Sequence, residues 1–231
     1  MRKILDTLKR KWAEYLLEII VITIGILVAF TLNNWNEGRR SKEFELYILK
    51  EISTNLKADS VQISEILLSR MEAKKSIMNL MDKHPGEFEE RELGRNAANL
   101  WTFERFYSIG NGYEMMKSKG LIIEHEKLRS VLSGYYEFEV SKVTTSIEDV
   151  ENVFMKDFRP MLKNGYIEEI DFGELVKFKN YQDPELHEFI LSYISVFKDD
   201  HEHSVENIEN FKKVNAVLKD MVDQTIGQLE N

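Results

Sequence analysis

The feature that most constrains this chain is an apolar run near its N-terminus. Residues 15–32 have the sequence YLLEIIVITIGILVAFTL, in which Glu18 is the single charged side chain. An α-helix rises about 1.5 Å per residue, so the run extends roughly 27 Å, close to the ~30 Å hydrocarbon core of a bilayer. The run therefore predicts a transmembrane helix over residues 15–35, after an N-terminal segment at 1–14 and before a domain at 36–231.

Aromatic side chains flank both ends of the apolar run. Trp12 and Tyr15 lie at the first end and Trp35 lies at the second. Such amphipathic rings favour the interface between lipid and water, so all three are predicted membrane-interface anchors. Two alternatives stay open, a buried helix of a soluble core and a cleaved signal peptide. The second fits poorly, because LNNWNE after the run lacks the small residues of a cleavage site.

Basic residues on the two sides of the run predict its orientation. Those before it are Arg2, Lys3, Lys9, Arg10 and Lys11, and those soon after it are Arg39, Arg40 and Lys42. Lys and Arg accumulate on the cytoplasmic side of membrane helices, so we expect a cytoplasmic N-terminus and a periplasmic C-terminal domain on an inner membrane. The basic segment is then expected to lie against the anionic cytoplasmic leaflet.

One face of the predicted span carries polar and small side chains. At 3.6 residues per turn a stripe roughly 80° wide contains six of them. They are Glu18, Ile22, Gly25, Ala29, Asn33 and Asn36. Small residues four apart let two helices approach closely in lipid, and a carboxylate within lipid needs a partner unless it lies at the interface. The stripe predicts an interface with a second copy or with another membrane protein, and both positions of Glu18 stay open.

Apolar residues after the run recur at alternating steps of three and four. The set is Leu49, Ile52, Leu56, Ile63, Ile66, Ala73, Ile77 and Leu80. This coiled-coil-like spacing predicts one long amphipathic helix over residues 41–82, in which Asp59 and Arg70 interrupt the stripe. The helix could continue directly from the apolar run, with residues 33–38 as the candidate break, before a turn at residues 84–86.

Further helices follow before the last third of the chain. The predicted helices cover residues 89–106, residues 111–119 behind an asparagine cap, and residues 124–158, which Pro160 closes. Residues 164–182 fit a loop, a short helix or a small hairpin. Eleven Gly and three Pro are few chain breakers, which disfavours a β-sandwich or barrel.

The C-terminal third predicts two helices. Asp183 is a suitable cap, Pro184 suits the first helical position, and a last helix covers residues 205–229. Asn215 falls in the apolar stripe of that helix, either as a register-setting polar residue or, as we favour, at a tolerated edge position. The predicted fold class is all-α, with one transmembrane helix and an extramembrane antiparallel bundle of long helices.

Residues that could carry chemistry are few. The chain has no Cys, so thiolate metal sites and cysteine nucleophiles are excluded. The DDHEH segment at 199–203 is interpreted as a solvated junction between helices, and residues 124–126 likewise. A set of aromatic residues favours core packing over a ligand pocket; it contains Trp101, Phe103, Phe106, Tyr107 and Tyr113. We therefore predict no catalytic residue, no metal site and no cofactor.

Two stretches of the chain resemble a family of uncharacterised bacterial single-pass membrane proteins. The first is EIIVITIGILVA at residues 18–29, followed by NNWNE at 33–37. The second is GYEMMKSKGLI at residues 112–122, followed by Leu128-Arg129 and Tyr135-Tyr136. The first follows the family's pattern E-I-x-x-V-x-I-G-I-L-x-A at every specified position except Ile22, where the pattern has Val, and Glu18, Gly25 and Ala29 are among the matched positions. The resemblance implies a membrane topology and no activity.

Charge and motifs together set the functional expectation. The net charge is −9, and residues 38–231 carry 26 basic and 36 acidic side chains, so nucleic acid is not an expected partner. We expect a membrane-anchored interaction, scaffold or sensory protein, not an enzyme, that self-associates or binds a membrane partner through its span. The alternative is a homo-oligomeric channel or effector, with spans arranged around Glu18 and Asn33.

Overall fold

The computed structural model describes residues 2–118, 120, 123–159, 165–171 and 173–230. The side chains of residues 2–11, 85, 157 and 158 lie outside that description. The chain divides into two units, one over Met1–Tyr47 and one over Ile48–Asn231.

The described residues are mostly helical. Helix α1 (Arg2–Asp82) contributes to both units. The second unit continues with a 3-10 turn (Pro85–Glu87), α2 (Glu90–Leu100), α3 (Asn111–Ser118), α4 (Glu126–Gly134), a π-helical turn (Tyr135–Glu139), α5 (Val140–Val153), a second π-helical turn (Phe154–Phe158), strands β1 (Ile167–Asp171) and β2 (Leu175–Phe178), and α6 (Pro184–Glu230).

The first unit is a single stretch of helix. Its side chains from 12 to 43 are all exposed. The candidate break at 33–38 is helical, and Asn33 Nδ2 donates to Glu37 Oε1 at 2.8 Å within it. The hydroxyl of Thr23 donates to the carbonyl of Ile19 at 2.7 Å, so its polar group is satisfied by its own helix.

In the second unit α1 packs antiparallel to α6. Ser53 Oγ donates to Asp223 Oδ1 at 2.6 Å, whereas Lys74 Nζ lies 3.9 Å from Glu202 Oε1 further along. Position rises along α1 as it falls along α6, so the two helices run in opposite directions. The predicted apolar stripe from Leu49 to Leu80 is buried throughout, as its heptad-like spacing requires.

A hairpin follows the fifth helix and corrects the all-α prediction. Strands β1 and β2 pair antiparallel, and Gly173 in the turn has φ +82°, which favours glycine. Val176 and Phe178 are buried, and Lys177 between them is exposed. This is the period-two pattern of a strand with one covered face. The hairpin was one of the three alternatives open for this stretch.

The hairpin belongs to an apolar core that includes the end of α1, helix α2 and the start of α6. Its buried members are Ala73, Ile77, Leu80, Phe88, Leu93, Ala97, Ala98, Leu100, Trp101, Val150, Phe154, Val176, Phe178, Leu186, Ile190, Tyr193, Ile194 and Phe197. Burial of this many apolar side chains accounts for the position of the two-stranded hairpin, which is at best marginal alone in water.

Helix α2 ends six residues earlier than predicted. The backbone N–H of Trp101 turns back to the carbonyl of Ala98 at 3.0 Å, and residues 102–110 are not helical. This segment is fastened to α1, because Gln62 both accepts from and donates to the backbone of Tyr107. Tertiary hydrogen bonds thus replace the helical ones that the apolar spacing predicted.

The predicted helix at 124–158 is confirmed with two added π-helical turns. Each turn inserts one residue into the 3.6-residue period and re-aims the side chains that follow. The predicted stop at Pro160 lies outside the described residues, as does Lys119, where the short third helix was predicted to end.

The two predicted C-terminal helices are one continuous helix, α6. The predicted start is confirmed, since Asp183 Oδ1 accepts from the N–H of Glu185 at 2.9 Å. The solvated junction at 199–203 is wrong, because His201 and Ser204 occupy the buried stripe between Phe197 and Ile208. The stripe passes through two polar residues, and for that reason the sequence pattern suggested a junction.

A glycine of α2 sits where no side chain fits. A Cβ built on Gly94 would lie 2.1 Å from the carbonyl oxygen of Val176 on β2. We expect Gly94→Ala to lower the free energy of unfolding by about 3 kcal/mol, because backbone must move to relieve the overlap. Chemical denaturation of the full chain in mild detergent measures the loss.

The matched control for this prediction is Gly134→Ala. A Cβ at Gly134 would meet nothing within 4 Å, and the residue has helical dihedral angles. We expect this variant to be as stable as the wild type or more stable by about 0.5 kcal/mol. Equal stabilities for the two alanine variants would contradict the close approach of α2 and β2.

Candidate functional site

The predicted face of the apolar helix is open along its length. Glu18, Ile22, Ala29, Asn33 and Asn36 are exposed. A Cβ on Gly25, the sixth predicted position, would meet nothing within 4 Å. Since these positions lie on one unbroken helix, helical geometry keeps them on one face. Their role as an interface stays a prediction.

The three predicted aromatic anchors are also exposed. Trp12 is 63% exposed, Tyr15 43% and Trp35 67%. They bracket the apolar run at its two ends. Their role at a membrane surface stays a prediction.

A buried carboxylate organises one part of the second unit. Asp59 on α1 is fully buried and accepts hydrogen bonds from Ser108 Oγ at 2.7 Å, the N–H of Ile109 at 2.9 Å and Tyr135 Oη at 3.0 Å. Burial raises the pKa of this carboxyl above its ordinary value, and the three hydrogen bonds oppose the rise. The carboxylate joins α1, the segment at 102–110 and the first π-helical turn.

The same network reaches α6 through an amide. Asn215 Nδ2 donates to Tyr135 Oη at 2.8 Å and to the carbonyl of Leu56 at 3.1 Å. Asn215 is 1% exposed, so the favoured edge position is wrong. Burial raises the pKa of Tyr135 and of Tyr136, with the charge of Asp59 as the second cause for both. The tyrosines therefore stay protonated and can donate.

A second buried polar cluster lies further along α1. Arg70 is 1% exposed, and its Nε and Nη2 are buried without hydrogen-bond partners. Burial lowers the pKa of this guanidinium, and the nearby charge of Glu104 is the largest opposing cause. Among the described residues, no ion pair within 4.0 Å joins Arg70 to a carboxylate. A charged group in this setting is costly unless something else compensates it.

Two residues of α6 face the same region. His201 and Ser204 are both fully buried, and neither ring nitrogen of His201 nor Ser204 Oγ has a hydrogen-bond partner. The ring of Phe197 packs edge-on against His201 with centroids 4.2 Å apart. Burial and the charge of Arg70 lower the pKa of His201 to about 3, so the imidazole is neutral.

No metal centre emerges from the described part of the chain. No group of three or more His, Asp or Glu is placed to hold a metal ion there. His125, in one of the two segments weighed as metal ligands, instead caps α4 by accepting from the N–H of Leu128 at 3.3 Å. The predicted core role of the aromatic set holds for Trp101, Phe106 and Tyr113, which are buried, and not for Tyr107, which is 67% exposed.

Asp59 and Arg70 were seen in the sequence only as interruptions of an apolar stripe. A charged residue at a stripe position of a long amphipathic helix is the signal that could have identified both as buried polar sites. Their partners could not be predicted, because Tyr135, His201 and Asn215 are far from Asp59 and Arg70 in the sequence.

These observations define the class of the protein. It is a mostly helical protein in which, among the described residues, one helix is long and apolar enough to cross a membrane, while a second unit holds buried polar clusters. A profile of the family of unknown function DUF6090 matches residues 18–137. The chain belongs to that family. Comparisons with curated proteins and with solved structures each found no match.

Proposed function

We propose that this protein is a membrane-anchored helical interaction protein, with scaffold or sensory roles, that self-associates or binds a membrane partner through its span. The observation that carries the proposal is the full exposure of an apolar window in α1, whose mean hydropathy is 2.5. Apolar side chains left entirely in water would be unfavourable, and a bilayer is the solvent that suits them.

The surroundings of the apolar run favour a membrane span rather than a buried helix of a soluble core or a cleaved signal peptide. A core helix buries its apolar side chains, whereas none of this window is buried. The hydroxyls of Thr23 and Thr31 donate to backbone carbonyls one turn earlier, at 2.7 and 2.8 Å, which lowers their cost in lipid. The exposed Trp12 and Trp35 suit the two interfaces.

The polar and small stripe supports an interface within the membrane. Lipid offers no partner for the carboxyl of Glu18, and a neighbouring helix does. Gly25 and Ala29 would let the backbone of such a helix approach closely, because neither carries a side chain larger than a methyl group. We further propose that the N-terminus is cytoplasmic and that the second unit, an antiparallel helical bundle with an added hairpin, lies in the periplasm of a bacterium. Its acidic surface would avoid nucleic acid and anionic lipid.

A bulky residue in the stripe tests the interface. We expect Gly25→Ile to weaken association in mild detergent by about tenfold or more in dissociation constant, because the added side chain separates the helices. The control is Thr23→Ile, which adds the same side chain on the opposite face and should leave association unchanged. Light scattering of both variants in one detergent measures the difference. Equal association would mean that this face is not an interface.

The carboxyl of Glu18 provides a second test of the same surface. Loss of a discrete assembly in Glu18→Leu would support pairing within the membrane, and the mass of the wild-type assembly would show whether the partner is a second copy. A monomer in both cases would make residues 15–35 a plain anchor. The channel hypothesis is tested separately by planar-bilayer recording, in which no conductance by the wild type would remove it.

A further inference from the structure

We propose that the buried cluster of Arg70, Glu104, His201 and Ser204 is a binding site for a small oxyanion that carries an acid proton, of the hydrogenphosphate type. This inference concerns the interior of the second unit and does not depend on the proposed role of the span. It rests on four side chains whose buried polar atoms have no hydrogen-bond partner, and the charge of Arg70 acts on two of the others, Glu104 and His201.

The guanidinium edge defines the anion position. Nε and Nη2 of an arginine form a planar fork that matches two oxygens of a carboxylate or phosphate. The chain itself shows that geometry at Arg105, whose Nε and Nη2 donate to the two carboxylate oxygens of Glu151 at 3.2 and 2.8 Å. The same edge of Arg70 is buried and unpartnered. Glu151 pairs with Arg105 and makes no hydrogen bond to this edge of Arg70.

The helix pair places the other groups at the level of Arg70. Lys74, one turn after Arg70 on α1, lies 3.9 Å from Glu202 on α6, beside His201. Arg70 is also the charge that acts on the imidazole of His201. Ser204 lies one turn further along α6 and offers a hydroxyl with no hydrogen-bond partner. The site therefore combines a two-pronged cation with a hydroxyl and a neutral imidazole.

Glu104 selects which oxyanion fits. Its Oε2 is buried without a hydrogen-bond partner, and its charge is the strongest electrostatic partner of Arg70. A carboxylate repels a fully deprotonated anion and accepts a hydrogen bond from one that keeps a proton. Inorganic phosphate keeps a proton near neutral pH, and sulfate does not. The charges of Arg70 and Glu104 together thus favour phosphate over sulfate.

A cleft on the surface reaches one member of the cluster, His201. It has a volume of about 360 Å³, lies between α1 and α6, and ends against His201. Lys74 and Lys198 line it together with Asp82 and Glu202, so its charge is balanced, and Met78 and Met81 form part of its apolar wall. Methionine side chains are flexible, which would allow a small anion to pass the imidazole.

Anion-dependent thermal stability of the full chain in a non-ionic detergent tests the site. We expect inorganic phosphate to raise Tm by about 5 °C at a hundredfold excess over its dissociation constant, with sulfate and chloride at equal ionic strength giving no such rise. Glycerol 1-phosphate at about pH 5.5, where most of it keeps one acid proton, serves as a second probe of the same chemistry beside phosphate at the same pH. A response to it as well as to phosphate means that the site admits a monoester, and a response to phosphate alone means that it takes the free anion. No response of the wild type to either would overturn the proposal and leave a hydrated cluster.

Variants assign the response to the cluster. Arg70→Met should fold, since it removes a buried charge whose Nε and Nη2 have no partner and whose burial is itself costly, and should lose the phosphate response. Lys57→Met, an exposed basic position on the same helix, should keep it. Ser204→Ala should weaken phosphate binding about fivefold. If Arg70→Met does not fold, Glu104→Gln decides, because an amide can donate to sulfate and should create a sulfate response. A phosphate response retained in Arg70→Met, or no sulfate response in Glu104→Gln, would contradict the site.

Discussion

Replacement of Asp59 by alanine is expected to lower the free energy of unfolding by about 3 kcal/mol and Tm by roughly 10 °C. The change leaves Ser108 Oγ, the N–H of Ile109 and Tyr135 Oη without their shared acceptor inside the protein. Each stranded donor costs about 1–3 kcal/mol, and relief of a buried carboxylate offsets part of the sum. Thermal and chemical unfolding of the full chain in detergent measure the loss.

Two further variants separate the loss of the Asp59 hydrogen bonds from the loss of a carboxylate elsewhere on the same helix. Asp59→Asn keeps one acceptor oxygen in nearly the same place, so we expect about half the loss. Asp82→Ala removes an exposed carboxylate from the same helix and should change stability by no more than about 0.5 kcal/mol. If Asp59→Ala and Asp82→Ala are equally stable, the Asp59 network does not hold α1 to the segment at 102–110.

Acidification is expected to destabilise this protein through His201. Its pKa in the folded protein is about 3, below its ordinary value of 6.5, so the unfolded chain binds the proton more tightly. Stability from this group is therefore fully present above about pH 6.5 and falls as the pH drops toward 3. From about pH 7 to about pH 4 the loss amounts to about 3 kcal/mol. Denaturation in phosphate-free buffers across that range measures the slope.

The variant His201→Leu isolates this contribution from that of the carboxylates. It removes the titrating group and keeps an apolar side chain of similar size among buried neighbours, so we expect a pH slope shallower by about 3 kcal/mol over the same range. His203→Leu, two residues later and exposed, should keep the wild-type slope. A steep slope in His201→Leu would show that another group governs the acid sensitivity.

The two buried clusters divide the second unit into regions of different character. At Asp59 both carboxylate oxygens accept hydrogen bonds, because Ile109 donates to Oδ1 and Ser108 and Tyr135 donate to Oδ2. At Arg70 two buried donor atoms, Nε and Nη2, have no hydrogen-bond partner. A satisfied network fixes a core, whereas an unsatisfied one implies water or a ligand. We therefore expect substitution of Asp59 to change mainly the free energy of unfolding, and substitution of Arg70 to change mainly the binding of an anion.

Features that depend on local periodicity could be predicted from the amino-acid sequence alone. Three such features are the apolar run at 15–32, the buried stripe from Leu49 to Leu80 and the cap at Asp183. Each depends on side chains that are only a few residues apart in the sequence. Helical spacing and capping are short-range effects, and the heptad-like pattern exposes them directly.

Features that join distant segments depend on tertiary contacts and could not be predicted from the sequence. The end of α2 at Leu100 follows from hydrogen bonds between the next segment and α1, and the sequence pattern favoured a longer helix. The hairpin after α5 takes its place from the apolar core that covers it. The continuity of α6 depends on burial of His201 and Ser204, whose polarity suggested a break. The partners of Asp59 and Arg70 depend on contacts across more than thirty residues, and local propensity contains no information about pairs so far apart.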